Sequence, residues 1–399
     1  MRIVSVVGAR PNFMKLAPVD RELAKRREVE HVIVHTGQHY DPEMSEAFFE
    51  ELRIPAADHH LAVGSGSHAA QTAAVMERLE PVLVQLRPDL VLVYGDVNST
   101  VAAALTAAKL GLPVGHVEAG LRSGDWTMPE EINRVVTDRL SGLLFIPSRD
   151  ADVNLRAEGI PADCIHFVGN VMIDSLCWAL PHALEREVAA RQGLREAEYV
   201  VVTLHRPPNV DDPATLRTLV EALHCLSRER PVVFPVHPRA RTRMDAAGVS
   251  VASGGDLRLI APLGYLDMLG LVASAALVIT DSGGLQEETT FLGVPCLTVR
   301  PNTERPITCA HGTNRLVPPR REAILAAADR ALARRPPVRP VLERWDGHAA
   351  ERIVRVACDG ERFDVEAADP VKAIAHELTD RAPGQPRRAG MFATREVLT

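Results

Sequence analysis

Short apolar runs rich in β-branched residues alternate with helix-period segments along most of the chain. This alternation restricts the fold to βαβ units carrying parallel sheets. In the first half the runs read as strands over Arg2–Val7, His31–Thr36, Leu90–Tyr94, Val114–Glu118, Leu143–Pro147 and Ile165–Val168. Between them lie helical stretches such as Met14–Arg26, Asn98–Leu110 and Glu130–Ser141. The helical pattern over Ser67–Leu86 contains Pro81, which predicts a kink or a restart there, because proline removes one backbone donor and crowds the preceding turn.

The second half repeats the scheme. Tyr199–Leu204, Val232–Val236, Leu257–Ala261, Ala276–Thr280 and Cys296–Val299 read as strands, and Asp212–Arg230 reads as a helix with an acidic start and a basic finish. A chain of 399 residues exceeds what one hydrophobic core usually organises, so two doubly wound domains are expected. The expected division is residues 1–170, a second domain over 171–357 entered through a connecting helix from Asp174 to about Arg191, and a loose tail over 358–399 containing the Pro383–Gly390 stretch. Facing strand C-termini would then put a ligand in the cleft between the domains.

Composition excludes several partners. A net charge of −7 supplies no basic field for nucleic acid, and there is no basic block for an anionic membrane surface. The longest apolar runs fall well short of the roughly 20 residues that span a bilayer. The first apolar run is too short for a signal peptide. Cys164, Cys177, Cys225, Cys296, Cys309 and Cys358 contain no CxxC pair, which reads as buried free thiols in a reduced cytoplasm rather than metal ligands or disulfides.

The loops after the apolar runs carry the chemistry. In GARPNFMK, Gly8 permits a tight turn and Pro11 suits a first helical turn. Arg10 and Lys15 beside that helix start make an anion site, or else a turn with two solvated cations. No GxGxxG follows the first strand, which disfavours a redox dinucleotide. Asp96 in YGDVNST lies where open α/β sheets hold ligands, or else caps the helix behind it. Glu118 ends a strand that otherwise reads as buried, a costly place for a carboxylate without a task. Glu130 and Glu131 open a helix, where acids are also common for dipole reasons alone. His205 with Arg206, and later His237, stand at strand ends on the presumed cleft side. In VITDSGGLQEE, Ser282, Gly283 and Gly284 open a helix whose bare backbone would admit a phosphate, with Glu288 one turn further in.

Taken in order, GARPNFMK, HTGQHYD, GDVNST, VEAGLRS, MPEEINR, VGNVMID, HRPPNVDD, DSGGLQEE and TERP resemble the non-hydrolysing UDP-N-acetylglucosamine 2-epimerases, from about Met1 to Arg352. The resemblance implies two Rossmann-like domains in the B-type glycosyltransferase arrangement, a homodimer, a UDP-sugar substrate and no metal or redox cofactor. It also implies anti elimination of UDP across C1–C2 to a 2-acetamidoglucal, then re-addition with C2 inverted. On that pattern Asp96, Glu118 and Glu130 supply acid and base, with His205 near the sugar. Arg10, Lys15, Arg206, His237, Ser282, Gly283, Gly284, Glu288 and Arg305 would hold the rest of the substrate, and Met268 would cover the uracil ring.

Three features depart from the family pattern. Pro208 stands where many members carry a glutamate, and Met268 where many carry an aromatic ring. In the loop from Gln38 to Phe48, Ser45 and Glu46 replace an Asp-Gln pair that some bacterial members use to bind an activating second substrate, which predicts hyperbolic kinetics. Competing readings are a B-type glycosyltransferase, a hydrolysing 2-epimerase, a 2-epimerase for a modified sugar such as a diacetamido uronate, and a non-catalytic nucleotide-sugar sensor.

Overall fold

The computed structural model of the protein describes residues 1–38, 48–248, 254–333 and 339–363. Its first sheet contains β1 (Arg2–Val7), β2 (Glu30–His35), β3 (His59–His60), β4 (Leu90–Tyr94), β5 (Val114–Val117), β6 (Leu143–Ile146) and β7 (Ile165–Phe167). They are ordered β3-β2-β1-β4-β5-β6-β7, all parallel. The helices of this half are α1 (Arg10–Leu23), α2 (His68–Leu86), α3 (Asn98–Lys109), α4 (Pro129–Leu140) and α5 (Arg149–Ala157). A connecting pair follows, α6 (Val171–Glu185) and α7 (Val188–Arg191).

The second sheet contains β8 (Val200–Thr203), β9 (Val232–Pro235), β10 (Leu257–Ile260), β11 (Leu277–Thr280), β12 (Cys296–Val299) and β13 (Asn314–Val317). Its order is β10-β9-β8-β11-β12-β13, again parallel throughout. The helices here are α8 (Pro207–Val210), α9 (Pro213–Leu226), α10 (Pro238–Ala246), α11 (Tyr265–Ala273), α12 (Gly283–Leu292), α13 (Ile307–Ala310), α14 (Arg321–Ala333) and α15 (Ala349–Asp359). Both sheets therefore reverse strand order at the same place, β1/β4 in one and β8/β11 in the other. In a doubly wound sheet that reversal opens a crevice beyond the strand C-termini.

The strands are apolar on both faces because helices cover both. All five residues of β4 are buried, as a central parallel strand requires. Three of the four main apolar clusters belong to one sheet each. The fourth joins Phe13 and Leu16 of α1 to Ile173 and Leu176 of α6, Leu266 and Leu269 of α11, and Ile353 of α15. Helix α6 is thus the shared spine, and its N-cap Asn170 accepts a hydrogen bond from the Met172 amide at 2.9 Å. Asn170 and Gly169, where the domain boundary is expected, lie between β7 and α6. Gly169 has φ +92°, and a Cβ there would overlap the Arg344 carbonyl.

Several expectations need correction. Helix α2 runs through Pro81 without restarting. Pro81 is exposed, and so is Glu77, whose carbonyl the proline leaves without its helical partner, so water can satisfy it. The expected tail begins too early. Helix α15 extends to Asp359, Arg26 pairs with Asp359 at 2.5 Å, and the Phe363 carbonyl accepts from the Phe167 amide at 2.7 Å. Moreover, α15 packs on α1 and α6 although its sequence falls in the range assigned to the second domain. Residues 364–399, with the Pro383–Gly390 stretch, lie outside the described residues, as do Ser45 and Glu46. All six cysteines are free thiols, but only Cys296 is buried and Cys177 is exposed. Among the described residues no helix is long and apolar enough to cross a membrane.

Candidate active site

Ten of the expected site residues meet in one cleft of about 530 Å³ between the C-terminal ends of the two sheets. They are Lys15, Asp96, Glu118, Glu130, His205, Arg206, Ser282, Gly283, Gly284 and Arg305. Four of them stand just past a strand end: Asp96 after β4, Glu118 after β5, His205 after β8, Ser282 after β11. The loop after β12 brings Arg305.

Glu118 is the most constrained of them. Its φ of +73° places a non-glycine residue in the left-handed region, and its amide and that of Ala119 both donate to the Phe145 carbonyl at 3.1 Å. Backbone strain of this kind costs on the order of 1–3 kcal/mol and persists only where the surroundings enforce it. The carboxylate is buried between two cations, 3.0 Å from Lys15 Nζ and 3.1 Å from Arg305 Nη2. Gly95, at φ +61°, makes room for this group, since a Cβ there would stand 3.2 Å from Lys15 Nζ and 3.3 Å from Glu118 Oε2.

Asp96 pairs with Arg134, which also pairs with Glu131 one turn earlier on α4. Burial alone would raise the Asp96 carboxyl, but Arg134, with Lys15 and Arg305 further off, holds it below the ordinary value. Asn133 donates to the Asp96 carbonyl at 2.9 Å, so α4 grips the β4 loop by side chain and backbone together. Glu131 in turn accepts from the Gly124 amide at 2.7 Å, fixing the segment that leads into Glu130. Glu130 stands on the cleft wall near enough to Arg206 to stabilise its charge.

On the opposite wall, Asp281 organises the β8 loop. It accepts from the amides of His205 and Arg206 and from Asn209, and lies 3.0 Å from His205 Nδ1. Burial opposes its ionisation, yet His205 and these donors keep it below the ordinary carboxylate value. The pairing directs the Nδ1 proton to Asp281 and leaves Nε2 for the cleft. Pro208, where the family's glutamate would be, is exposed, and Asn209 anchors the loop instead.

Ser282 is the N-cap of α12, so the amides of Gly283 and Gly284 open the helix at the cleft wall. Gly283 permits the close approach of Arg305, because a Cβ would stand 2.8 Å from its Nη1 and 2.6 Å from Glu304 Oε1. Arg305 is held by Glu118, by Glu304, and by Glu287 at 3.0 Å from its Nε. Burial opposes the ionisation of Glu304, but Arg305 and Arg300 hold its carboxyl far below the ordinary value. Burial pushes Glu287 up to about 7, with Arg305 pulling down and Glu118 adding to the rise.

Four expected residues do not line the cleft cavity. Arg10 opens α1 with its guanidinium 5.7 Å from the Phe48 ring centre. His237 caps α10, its ring 6.0 Å from that of His205, and its pKa is lowered by burial and then by His205 and Arg10. These three form a group at the edge of the site. Met268 packs into the apolar cluster around Leu271 and Val272. Glu288 is buried, and burial pushes its carboxyl up to about 7. The motifs give no role to Asp281, Arg134, Glu304, Glu287, His68 or Gln71, and Gln38, expected only in the activator loop, lines the cleft with His68 and Gln71. Asp281 and Arg134 lie inside quoted motifs, but their importance rests on partners far along the chain. Among the described residues no group of three or more His, Cys, Asp or Glu is placed to hold a metal.

Two like-ordered parallel sheets, with a charged cleft at their facing strand ends, define a two-domain α/β enzyme of the B-type glycosyltransferase arrangement. The family model described as UDP-N-acetylglucosamine 2-epimerase matches residues 21–357, and the chain belongs to that epimerase family. A "UDP-N-acetylglucosamine 2-epimerase homolog" of Methanococcus maripaludis is 46% identical over 329 residues, 82% of this chain and 91% of its own length. A UDP-2,3-diacetamido-2,3-dideoxy-D-glucuronate 2-epimerase of Pseudomonas aeruginosa is 42% identical over 84% of this chain and 93% of its own. The crystal structure of Methanocaldococcus jannaschii UDP-GlcNAc 2-epimerase in complex with UDP-GlcNAc and UDP matches with a TM-score of 0.83 and 39% identity, covering 90% of this chain and 100% of that one.

Proposed function

We propose that the chain inverts C2 of UDP-N-acetylglucosamine, giving UDP-N-acetylmannosamine reversibly by elimination and re-addition of UDP. The observation that carries this reading is the strained Glu118 carboxylate in a cleft that also presents cations and the open N-terminus of α12. An elimination needs both a base for the C2 proton and a sink for the diphosphate's charge. The electron pair of the C2–H bond becomes the C1–C2 double bond as the C1–O bond breaks, and UDP leaves with its own pair. Return of a proton to the opposite face of C2, and of the UDP oxygen to C1, completes the inversion. Asp96 and Glu118 come from two loops and Glu130 from the first turn of α4, and the three can surround the sugar, each acid or base contributing about 10²–10⁴-fold. Lys15, Arg305 and the amides of Gly283 and Gly284 would stabilise the leaving diphosphate, with Arg10 and His237 at the outer edge of its site.

Proton NMR of the protein with UDP-N-acetylglucosamine in D2O tests the reading. The expected result is the epimer carrying deuterium at C2. Free N-acetylmannosamine would indicate a hydrolysing enzyme, and epimer with protium fully retained would exclude elimination. A second reading, epimerisation of a UDP-diacetamido uronate, is supported by the 42% identity to the Pseudomonas enzyme. It predicts a higher kcat/KM for that substrate than for UDP-N-acetylglucosamine.

A further inference from the structure

Arg305 has all three guanidinium nitrogens engaged, Nη1 by Glu304, Nε by Glu287 and Nη2 by Glu118. Two of these carboxylates belong to the second sheet's side and are themselves anchored. Glu304 pairs with Arg300 at 2.8 Å, and Glu287 accepts from Asn170 at 2.9 Å. Glu118 alone crosses from the first sheet, and among the described residues it is also the acidic partner of Lys15, at 3.0 Å. These two side chains and Arg305 are at most 9% exposed, so water screens them little. They stand beside the α12 N-terminus, where Gly283 brings the backbone against Arg305. An anion seated there meets Lys15 and Arg305 already neutralised by the carboxylate that the reaction needs.

We propose that Glu118 is a stand-in for the ligand's diphosphate, competing with it for Lys15 and Arg305, and that phosphate binding releases Glu118 to act on the sugar. This rests on the nucleotide-sugar reading and adds a rule of operation to it. Glu287 and Glu304 keep Arg305 in place when Glu118 lets go, which accounts for three acids around one guanidinium. Asp96, held by Arg134, faces the same cations and remains paired throughout. While both cations hold it, the Glu118 carboxylate is not free to reach the sugar, whereas a bound diphosphate takes over Lys15 and Arg305 and releases it. A hexosamine lacking the diphosphate therefore leaves Glu118 locked and is not a substrate.

The test is calorimetric titration with UDP, inorganic pyrophosphate and uridine. Glu118→Gln keeps the side-chain shape without the charge, and Glu118→Gly suits the left-handed backbone, so at least one variant is expected to fold. Removing the competing anion should tighten UDP and pyrophosphate by at least about tenfold, since Lys15 then loses its carboxylate, and Arg305 one of its three, until the ligand arrives. Uridine, which has no phosphate, should bind all forms alike. Unchanged or weaker UDP and pyrophosphate binding in both variants, with uridine binding retained, overturns the proposal. An unmutated chain that binds neither UDP nor pyrophosphate overturns instead the site reading beneath it.

Discussion

Glu118 Oε1 lies 3.1 Å from Arg305 Nη2, a contact between residues 187 positions apart that joins the β5 loop to the β12 loop across the cleft. It is the point at which the two sheets share one charge system, and most of the functional predictions pass through it.

Glu118→Gln and Asp96→Asn should each lower turnover by at least about 10²-fold, the scale for a lost acid or base. Circular dichroism should show both variants folded. Near-normal turnover in either would remove that residue from the acid–base machinery.

Arg305→Ala should weaken UDP binding by about 1.5–3 kcal/mol, as expected for loss of a charge-assisted hydrogen bond. It should also destabilise the chain, because Glu118, Glu287 and Glu304 lose a common partner. Calorimetry and thermal unfolding read the two effects separately. Unaltered UDP affinity would place the nucleotide elsewhere.

Asp281→Asn should lower kcat much more than it alters KM, because Asp281 fixes which ring nitrogen of His205 carries the proton while touching no cleft ligand itself. Steady-state kinetics across pH, compared with His205→Ala, makes the check. An Asp281→Asn enzyme with an ordinary kcat would show that the orientation of His205 is immaterial.

Glu288 carries a stability signature. Burial pushes its carboxyl from 4.5 to about 7, with the Tyr265 hydroxyl opposing and Glu287 adding. The folded value lies above the unfolded one, so the stabilising contribution is complete below about pH 4.5 and is lost as pH rises through 7. Glu288→Gln, neutral at every pH, should therefore gain on the unmutated chain by on the order of 3 kcal/mol between pH 5 and 8. Urea midpoints across that range measure it. Parallel curves for the two proteins would mean that Glu288 is solvated in the fold.

Much of this was legible in one dimension. Short continuous apolar runs alternating with segments of period 3.6 identify a parallel α/β chain, because buried parallel strands must be apolar throughout and their helices apolar on one side. The loops at strand C-termini then follow from the topology, which is why Asp96, Glu118, His205 and Ser282 could be placed at a cleft from their neighbours alone. Periodicity reports which side of an element is apolar, but not what covers it. Helix α15 therefore packs on the first half, although it follows the second in sequence. Pro81 could stay in a helix because it and Glu77, whose carbonyl it frees, lie on an exposed side of the helix, a matter of exposure rather than of residue type. The motifs likewise bring Arg134 and Glu304 into view without their partners. Coulomb energy depends on distance in space, and only the meeting of loops far apart in sequence makes Asp96 a partner of Arg134 and Glu118 a partner of Lys15 and Arg305. The same meeting takes Glu288 out of the cleft and into the protein interior, where desolvation is the largest influence on its charge.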